Sequence, residues 1–322
     1  MDHADEEDDS EIFIYRGGRA PQHVTHILID KSIDDIEDEA FDGCKNLLTV
    51  ETHDGLRKIG KYAFYGCESL RRINLKSVIE IGAWAFSWCE NVESVEFGDR
   101  LETIGECAFR RCFSLKHLKL PSIVTIGGGA FYECRCLRDA ELSERLETIG
   151  EGAFRKCRRL KRIAVPLKRD LFGFDDLQRP YSQLIDCEML ITVDLVGGIH
   201  ETVASLHMES WRTEMNTEIN RINQVLPDTY ASENTEEIRR WMDSVIDKMD
   251  HYKAEHYRYV KEGITLLELA LWKSKLGEKE DICEEGETKN AKVDAQSARK
   301  GKRITCGADV VIKNVLPFLQ LK

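Results

Sequence analysis

Apolar residues in the first half of the chain recur with a period of 22 or 23 residues. In every repeat a phenylalanine follows an alanine and precedes a cysteine by three positions. The phenylalanines are Phe41, Phe64, Phe86, Phe109, Phe131 and Phe154. Self-similarity at a period of this size is typical of a solenoid, in which each repeat packs only on its neighbours. The pattern therefore predicts a stack of repeats, which we number 1 to 6 by these phenylalanines.

The first half of each repeat alternates apolar and polar residues, which predicts a short strand with its apolar side chains facing inward. The predicted strands are 24–29, 47–52, 70–75, 92–97, 115–120, 137–142, 160–165 and, more divergent, 187–195. In the second half, Ala, Phe and Cys bury one side of a short helical turn. We therefore expect an α/β solenoid with about eight short parallel strands on a concave strand face and helical turns on a convex turn face.

Beyond residue 198 the apolar residues are spaced by three to five positions, which predicts amphipathic helices. One stripe runs from Val203 to Leu226, and a second runs from Ile238 to Tyr259 after a break at Pro227. Residues 266–276 continue the second helix or form another. Helices joined by so short a loop predict an antiparallel hairpin. Two interpretations stay open: the stripes bury each other and cap the last repeat, or they contact another chain.

These patterns divide the chain into five segments. They are an acidic tail at 1–11, the solenoid at 12–198, a helical hairpin or cap at 199–276, a charged flexible linker at 277–303 and an apolar segment at 304–322. The linker is assigned because its charges show no apolar periodicity.

The net charge is −12, and much of the excess lies in the acidic tail. A protein with this balance lacks the overall basic character that nucleic-acid binding requires, so we expect no nucleic-acid partner.

No secretory signal and no apolar run of about 20 residues is present, which argues against a membrane location. We therefore expect an intracellular protein, in the cytoplasm or, through the basic run 299–303, in the nucleus. Its repeat cysteines are then expected to be free, buried thiols.

The pattern I-G-x-x-A-F-x-x-C-x-x-L resembles the BspA-like leucine-rich repeats, with six near-complete copies. The stretches 193–199, 264–272 and 311–319 resemble the C-terminal region of uncharacterised leucine-rich repeat proteins abundant in diatoms. This resemblance implies a leucine-rich repeat solenoid with a helical tail that usually binds other proteins. It implies no catalytic residue. A cell-surface adhesion role is known for some BspA-like proteins, and here it would require export.

No arrangement of reactive side chains in the sequence predicts catalysis. Cys134 and Cys136 lack the spacing of a redox or zinc pair. His251 and His256 are five residues apart and do not share a helical face as residues four apart would. We therefore expect no enzymatic activity, no cofactor and no bound metal.

Charged residues on the strand face alternate in sign from one repeat to the next. The candidate binding residues on this face are Glu51, Arg72, Lys76, Glu93, Glu96, His117, Lys119, Asp139, Glu141 and Arg162. Neighbouring strands then place opposite charges side by side, which stabilises strand pairing by roughly 0.2–1 kcal/mol per pair. The alternation either fixes the stacking register or presents a striped surface to a partner.

Aromatic residues cluster at variable positions of the turn face. They are Tyr62, Tyr65, Trp84, Trp88 and Tyr132. Tyr and Trp are enriched among residues that dominate binding energy, so this cluster is a second candidate surface.

The function predicted from the sequence is a non-enzymatic scaffold that binds other proteins. The alternatives are a structural role with homo-oligomerisation through the helical tail and, third, cell-surface adhesion.

Overall fold

The structure, a computed structural model, describes residues 12–173, 183–206 and 208–280. The predicted acidic tail, the segment 304–322 and the predicted linker beyond residue 280 lie outside the described residues. The described chain forms two units. One contains the residues up to Ile199 together with Asn216–Ile246, and the other contains His200–Met215 and the chain from Asp247 onward.

Parallel strands form the strand face of the first unit. The strands that build it are β1 (Ile12–Tyr15), β2 (His26–Ile29), β4 (Thr49–Glu51), β6 (Arg72–Leu75), β8 (Ser94–Phe97), β10 (His117–Lys119), β12 (Asp139–Glu141), β14 (Arg162–Pro166) and β15 (Thr192–Val196). They hydrogen-bond in the orders β1-β2-β4-β6-β8 and β10-β12-β14-β15. Apolar residues meet across the ladder, as Val50 does with Ile27 and Ile73. The predicted solenoid of short parallel strands is confirmed.

A second parallel sheet, which the sequence did not predict, consists of two-residue strands. They are β3 (Asp35–Ile36), β5 (Lys58–Ile59), β7 (Glu80–Ile81), β9 (Thr103–Ile104), β11 (Thr125–Ile126) and β13 (Thr148–Ile149). Each contributes one inward isoleucine, and the six pair in sequence order.

The core consists of stacked columns of identical residues. The phenylalanine rings of repeats 1 to 6 lie 4.9–5.5 Å apart between neighbours, and all six residues are 0 % exposed. Beside them the cysteine thiols of repeats 2 to 6 donate to phenylalanine carbonyls of the preceding repeat, as Cys89 Sγ does to the Phe64 oxygen at 3.0 Å, while Cys44 Sγ donates to the Pro21 oxygen. Burial raises the pKa of these thiols, to about 12 for Cys44. The thiols of this column are therefore protonated at neutral pH and serve as uncharged core side chains.

The second half of each repeat is a run of tight turns. Backbone bonds join residues three apart, as from Cys67 N to Phe64 O at 3.2 Å, and no described part of these segments is regular helix. The reason is that two positions per repeat, two residues before and two residues after the phenylalanine, have left-handed φ. A right-handed helix cannot contain such residues. The predicted helical turns are thus present as single turns only.

Helices follow the last strand: α1 (Ile199–Ala204), α2 (Glu209–Val225), a 3₁₀ turn (Leu226–Asp228) and α3 (Asn234–Glu280). α3 is continuous through Gly263, which decides between the two predictions for residues 266–276. Within the first unit, Asn223 Oδ1 accepts a bond from Val193 N at 2.7 Å, and Thr235 Oγ1 accepts one from Leu184 N at 3.0 Å. This part of the helices caps the last repeat.

Within the second unit, aromatic contacts join the remaining parts of α2 and α3. The rings of Trp211 and Tyr252 stack at 5.2 Å, and the Tyr252 hydroxyl donates to Glu214. Burial, together with the Glu214 carboxylate, raises the pKa of Tyr252 to about 12. The apolar stripes of the two helices thus meet each other here.

Candidate functional site

The strand face carries the alternating charges that the sequence predicted, and they pair across neighbouring strands. Lys76 Nζ lies 2.8 Å from Glu96, Lys116 Nζ lies 3.0 Å from Glu93, and Lys119 Nζ lies 3.4 Å from Glu141. The same face holds the pairs His117–Asp139 and Arg162–Asp194, while Glu51 and Arg72 are exposed on it. Hydrogen bonds from the paired lysines lower the pKa of Glu93 and of Glu96.

These pairs are solvent-exposed, so each contributes only about 0–1 kcal/mol to stability. Their geometry nevertheless matches the first interpretation of the alternation, because most of these charges lie beside an opposite charge on the next strand. A face whose cations and anions already satisfy one another offers little net charge to a partner.

The turn face brings the predicted aromatics together in a ladder with cations that the sequence reasoning missed. The Tyr62 and Trp84 rings stack at 6.1 Å, and the Arg110 guanidinium lies 5.3 Å from the Trp84 centroid and 5.2 Å from that of Tyr132. Lys156 Nζ is 5.3 Å from the Tyr132 centroid and donates to its hydroxyl at 3.0 Å. We call Tyr62, Trp84, Arg110, Tyr132 and Lys156 the cation–aromatic ladder.

The other two predicted aromatics lie on the same face. Tyr65 packs edge-on against Tyr62 with their centroids 5.7 Å apart. Trp88 lies under the Arg111 guanidinium at 4.2 Å. The signal for the missed cations is present in the sequence, since Arg110 and Arg111 occupy the same turn positions as Tyr65 and Trp88 do in their repeats.

Several side chains of this face stand at left-handed backbone positions. Tyr62, Trp84 and Trp88 have φ of 56°, 60° and 65°. Other repeats place glycine at the equivalent positions, namely Gly43, Gly66, Gly129 and Gly152. A left-handed residue with a Cβ costs roughly 1–2 kcal/mol. Backbone strain of this kind tends to mark functional sites, where the contribution of the side chain to function outweighs the conformational cost.

A buried carboxylate lies at the centre of the basic part of this face. Glu133 is 7 % exposed, with φ of 59°, and accepts a hydrogen bond from Arg111 Nε at 2.8 Å. Arg135 and Lys156 lie 3.5 Å and 3.7 Å from it. Burial opposes ionisation, but the hydrogen bond and charge of Arg111, with the charges of Arg135 and Lys156, outweigh it and lower the pKa of Glu133.

The exposed part of α3 carries a second unusual surface. Five large apolar residues there are 58–67 % exposed: Leu266, Leu267, Leu269, Leu271 and Trp272. A helix turns about 100° per residue, so these side chains lie on several sides of α3 and expose apolar surface around it. Exposed apolar surface of this extent marks interaction sites.

No group of three or more His, Cys, Asp or Glu side chains in residues 12–173, 183–206 and 208–280 could hold a metal ion. Among the helices of these ranges, none is sufficiently long and apolar to span a bilayer.

The repeats are similar to those of known proteins. Residues 20–124 and 71–173 match the BspA type leucine rich repeat region, in six copies. Among solved structures, a leucine-rich repeat protein of T. pallidum is 26 % identical, with a TM-score of 0.44, over 62 % of this chain and 88 % of that one. One from Bacteroides ovatus is 25 % identical, with a TM-score of 0.42, over 54 % and 55 %. Among curated proteins, none matches this chain significantly. None of these matches tests the resemblance to diatom proteins, which stays a prediction.

Proposed function

Residues 20–173 match the BspA type leucine rich repeat region, and from this match we propose that the chain is a non-enzymatic scaffold whose turn face binds a partner protein. The observation that carries the proposal is the cation–aromatic ladder, whose tyrosine, tryptophan and lysine side chains occupy left-handed positions at Tyr62, Trp84 and Lys156. We place this function inside the cell, in the cytoplasm or the nucleus, as an expectation that cell fractionation would test.

Stacking of repeats alone does not require large side chains at these positions. Repeats 1 and 2 have Gly43 and Gly66 where repeat 3 has Trp88, and repeats 5 and 6 have Gly129 and Gly152 where repeat 3 has Trp84. The repeats that have glycine at these positions stack in the same sheets. Binding of a partner therefore explains the large side chains at left-handed positions better than repeat stacking does.

The ladder also has the composition and order of a binding surface. Trp, Tyr and Arg are the residues that most often dominate interface energy. Stacking holds the Arg110 guanidinium between two rings, so little side-chain freedom remains to be lost on binding. The strand face lacks this preorganisation, and its charges are engaged in pairs such as Lys76–Glu96.

The test compares partner capture by the wild-type protein with capture by two variants. Trp84→Ala/Trp88→Ala removes aromatic surface from the turn face, and Glu96→Lys alters the strand face as the matched control. We expect affinity purification with mass spectrometry to lose partners with the first variant and to retain them with the second. Circular dichroism confirms that both fold. If the aromatic variant retains every partner, the turn face is not the binding surface.

A second candidate function rests on the exposed apolar residues of α3. Leu266 and Leu269 lie three residues apart on the helix and are 67 % and 62 % exposed. Burial of this surface between two copies would make the tail an oligomerisation device. Light scattering of the full chain and of Leu266→Glu/Leu269→Glu tests it: an oligomer that dissociates in the variant supports the idea, and a monomer in both ends it.

A further inference from the structure

Positive charge is concentrated on the turn face of repeats 4 to 6. Four positions per repeat belong to this face: the two after the phenylalanine and the two after the cysteine. In repeats 4 to 6 they hold seven cations, which we call the basic patch: Arg110, Arg111, Arg135, Arg155, Lys156, Arg158 and Arg159. In repeats 1 to 3 the same positions hold one cation and three acids: Lys45, Asp42, Glu68 and Glu90.

Carboxylates neutralise the basic patch at its margin and at one buried point. Arg155 and Arg158 lie 4.0 Å and 3.5 Å from Asp186 and Glu188 of the next repeat. Glu133 is the carboxylate within the patch. Arg110 forms no ion pair with the described chain, and its Nε, although buried, has no hydrogen-bond partner there. The patch therefore retains a net positive charge on a protein of net charge −12.

We propose that the basic patch binds an acidic, extended peptide segment of a partner protein. This proposal rests on the proposed function and names the chemistry of the partner. Glu133 shows how the patch accommodates a carboxylate, since Arg111, Arg135 and Lys156 converge on it. Guanidinium groups bind carboxylates in bidentate geometry, and a guanidinium already oriented by aromatic rings loses little freedom in doing so.

The spacing of the repeats fits an extended chain. Neighbouring parallel strands lie about 4.8 Å apart, so the cations of repeats 4 to 6 extend over roughly 10 Å. An extended peptide rises about 3.3 Å per residue and directs alternate side chains to one side. A segment of roughly four residues with alternating acids therefore places carboxylates along the patch.

The aromatic rings favour this partner over a nucleic acid or a cationic ligand. Single-stranded nucleic acids bind by stacking bases on free aromatic faces. Arg110 lies against the Tyr132 ring, Lys156 bonds the Tyr132 hydroxyl, and Trp84 lies between Tyr62 and Arg110. A cation would meet like charge at the same rings. The patch is thus built to present cations.

A direct binding measurement tests the proposal. The probe is a fluorescein-labelled eight-residue peptide of alternating Glu and Ser, followed by anisotropy with the full chain. Arg110→Gln/Arg155→Gln/Arg159→Gln removes three charges from the patch. The matched control, Lys76→Gln/Lys116→Gln/Lys119→Gln, removes three charges from the strand face. We expect the patch variant to bind at least about tenfold more weakly than wild type and the control to change affinity less than about twofold.

Several outcomes would overturn the proposal: no binding by wild type, an equal loss in both variants, or tighter binding of an oligothymidine of equal charge. Arg155→Gln/Arg159→Gln alone serves where loss of Arg110 prevents folding. The two proposals remain separable. A peptide that fails to bind, while Trp84→Ala/Trp88→Ala still loses its partners, refutes the acidic ligand but leaves the turn face as a binding surface. A peptide that binds while that variant retains every partner supports the acidic ligand but refutes a role for Trp84 and Trp88 in partner binding.

Discussion

Two adjacent glycines of repeat 5 provide a sharp test of how closely the repeats stack. A Cβ built on Gly127 would lie 2.6 Å from Glu106 N and 2.6 Å from Gly105 C, both backbone atoms of repeat 4. A Cβ on Gly128 would lie 3.4 Å from Glu151 O, which is ordinary contact. Gly127→Ala must therefore separate two repeats by about 0.8 Å in an interior that is close-packed and deforms little.

The expected cost of Gly127→Ala is about 2–3 kcal/mol, at the upper end for overpacking, because backbone cannot rotate away as a side chain can. Gly128→Ala should be neutral or stabilise by up to about 1 kcal/mol, since alanine restricts the unfolded chain. In a repeat array each interface contributes separately, so the loss falls on one stacking contact.

Thermal unfolding followed by circular dichroism measures both variants. At roughly 2–4 °C per kcal/mol for a domain of this size, Gly127→Ala should lower Tm by about 4–12 °C. Gly128→Ala should leave Tm within about 4 °C of wild type. Equal shifts in the two variants would contradict the stacking geometry described for these repeats.

Two further predictions concern buried ionisable groups. Glu133→Gln should lower stability by about 1–2 kcal/mol at pH 7. Because the native pKa of Glu133 lies below its unfolded value of about 4.3, this difference should fade as the pH falls below about 4, and urea unfolding at several pH values would show it. A stability difference between wild type and Glu133→Gln that does not change with pH would rule out stabilisation by the ionised Glu133 carboxylate. Iodoacetamide at pH 8 should label the partly exposed Cys107 and Cys136 before the buried Cys89 and Cys112. Peptide mass mapping would measure the order of labelling. Early labelling of the buried thiols would contradict the packing of the cysteine column.

Most of the fold follows from periodicity. The strands and the phenylalanine and cysteine columns are predictable because the inward residues are apolar in every repeat. The two-residue strands such as Thr103–Ile104 are not, since alternation needs more than one inward residue to be visible. The turns resembled helix in sequence because Tyr62 and Trp84 are compatible with helix, whereas their left-handed φ belongs to a turn conformation that all six repeats share.

The candidate site was predictable only in part. The five aromatics are visible as bulky residues at variable positions of the turns. Arg110, by contrast, reads in sequence as a solvated surface charge. It becomes part of the ladder because stacking places it beside Trp84, 26 residues earlier, and Tyr132, 22 residues later. Contacts between repeats determine the environment of Arg110, and a local sequence pattern does not predict such contacts.

The central claim, that the turn face binds the partner, is tested most directly by hydroxyl-radical footprinting of the protein alone and with a partner recovered by affinity purification. The account predicts protection of Tyr62, Trp84, Trp88 and Tyr132, with unchanged labelling of His117 on the strand face. Protection of His117 with unchanged labelling of the four aromatics would contradict it.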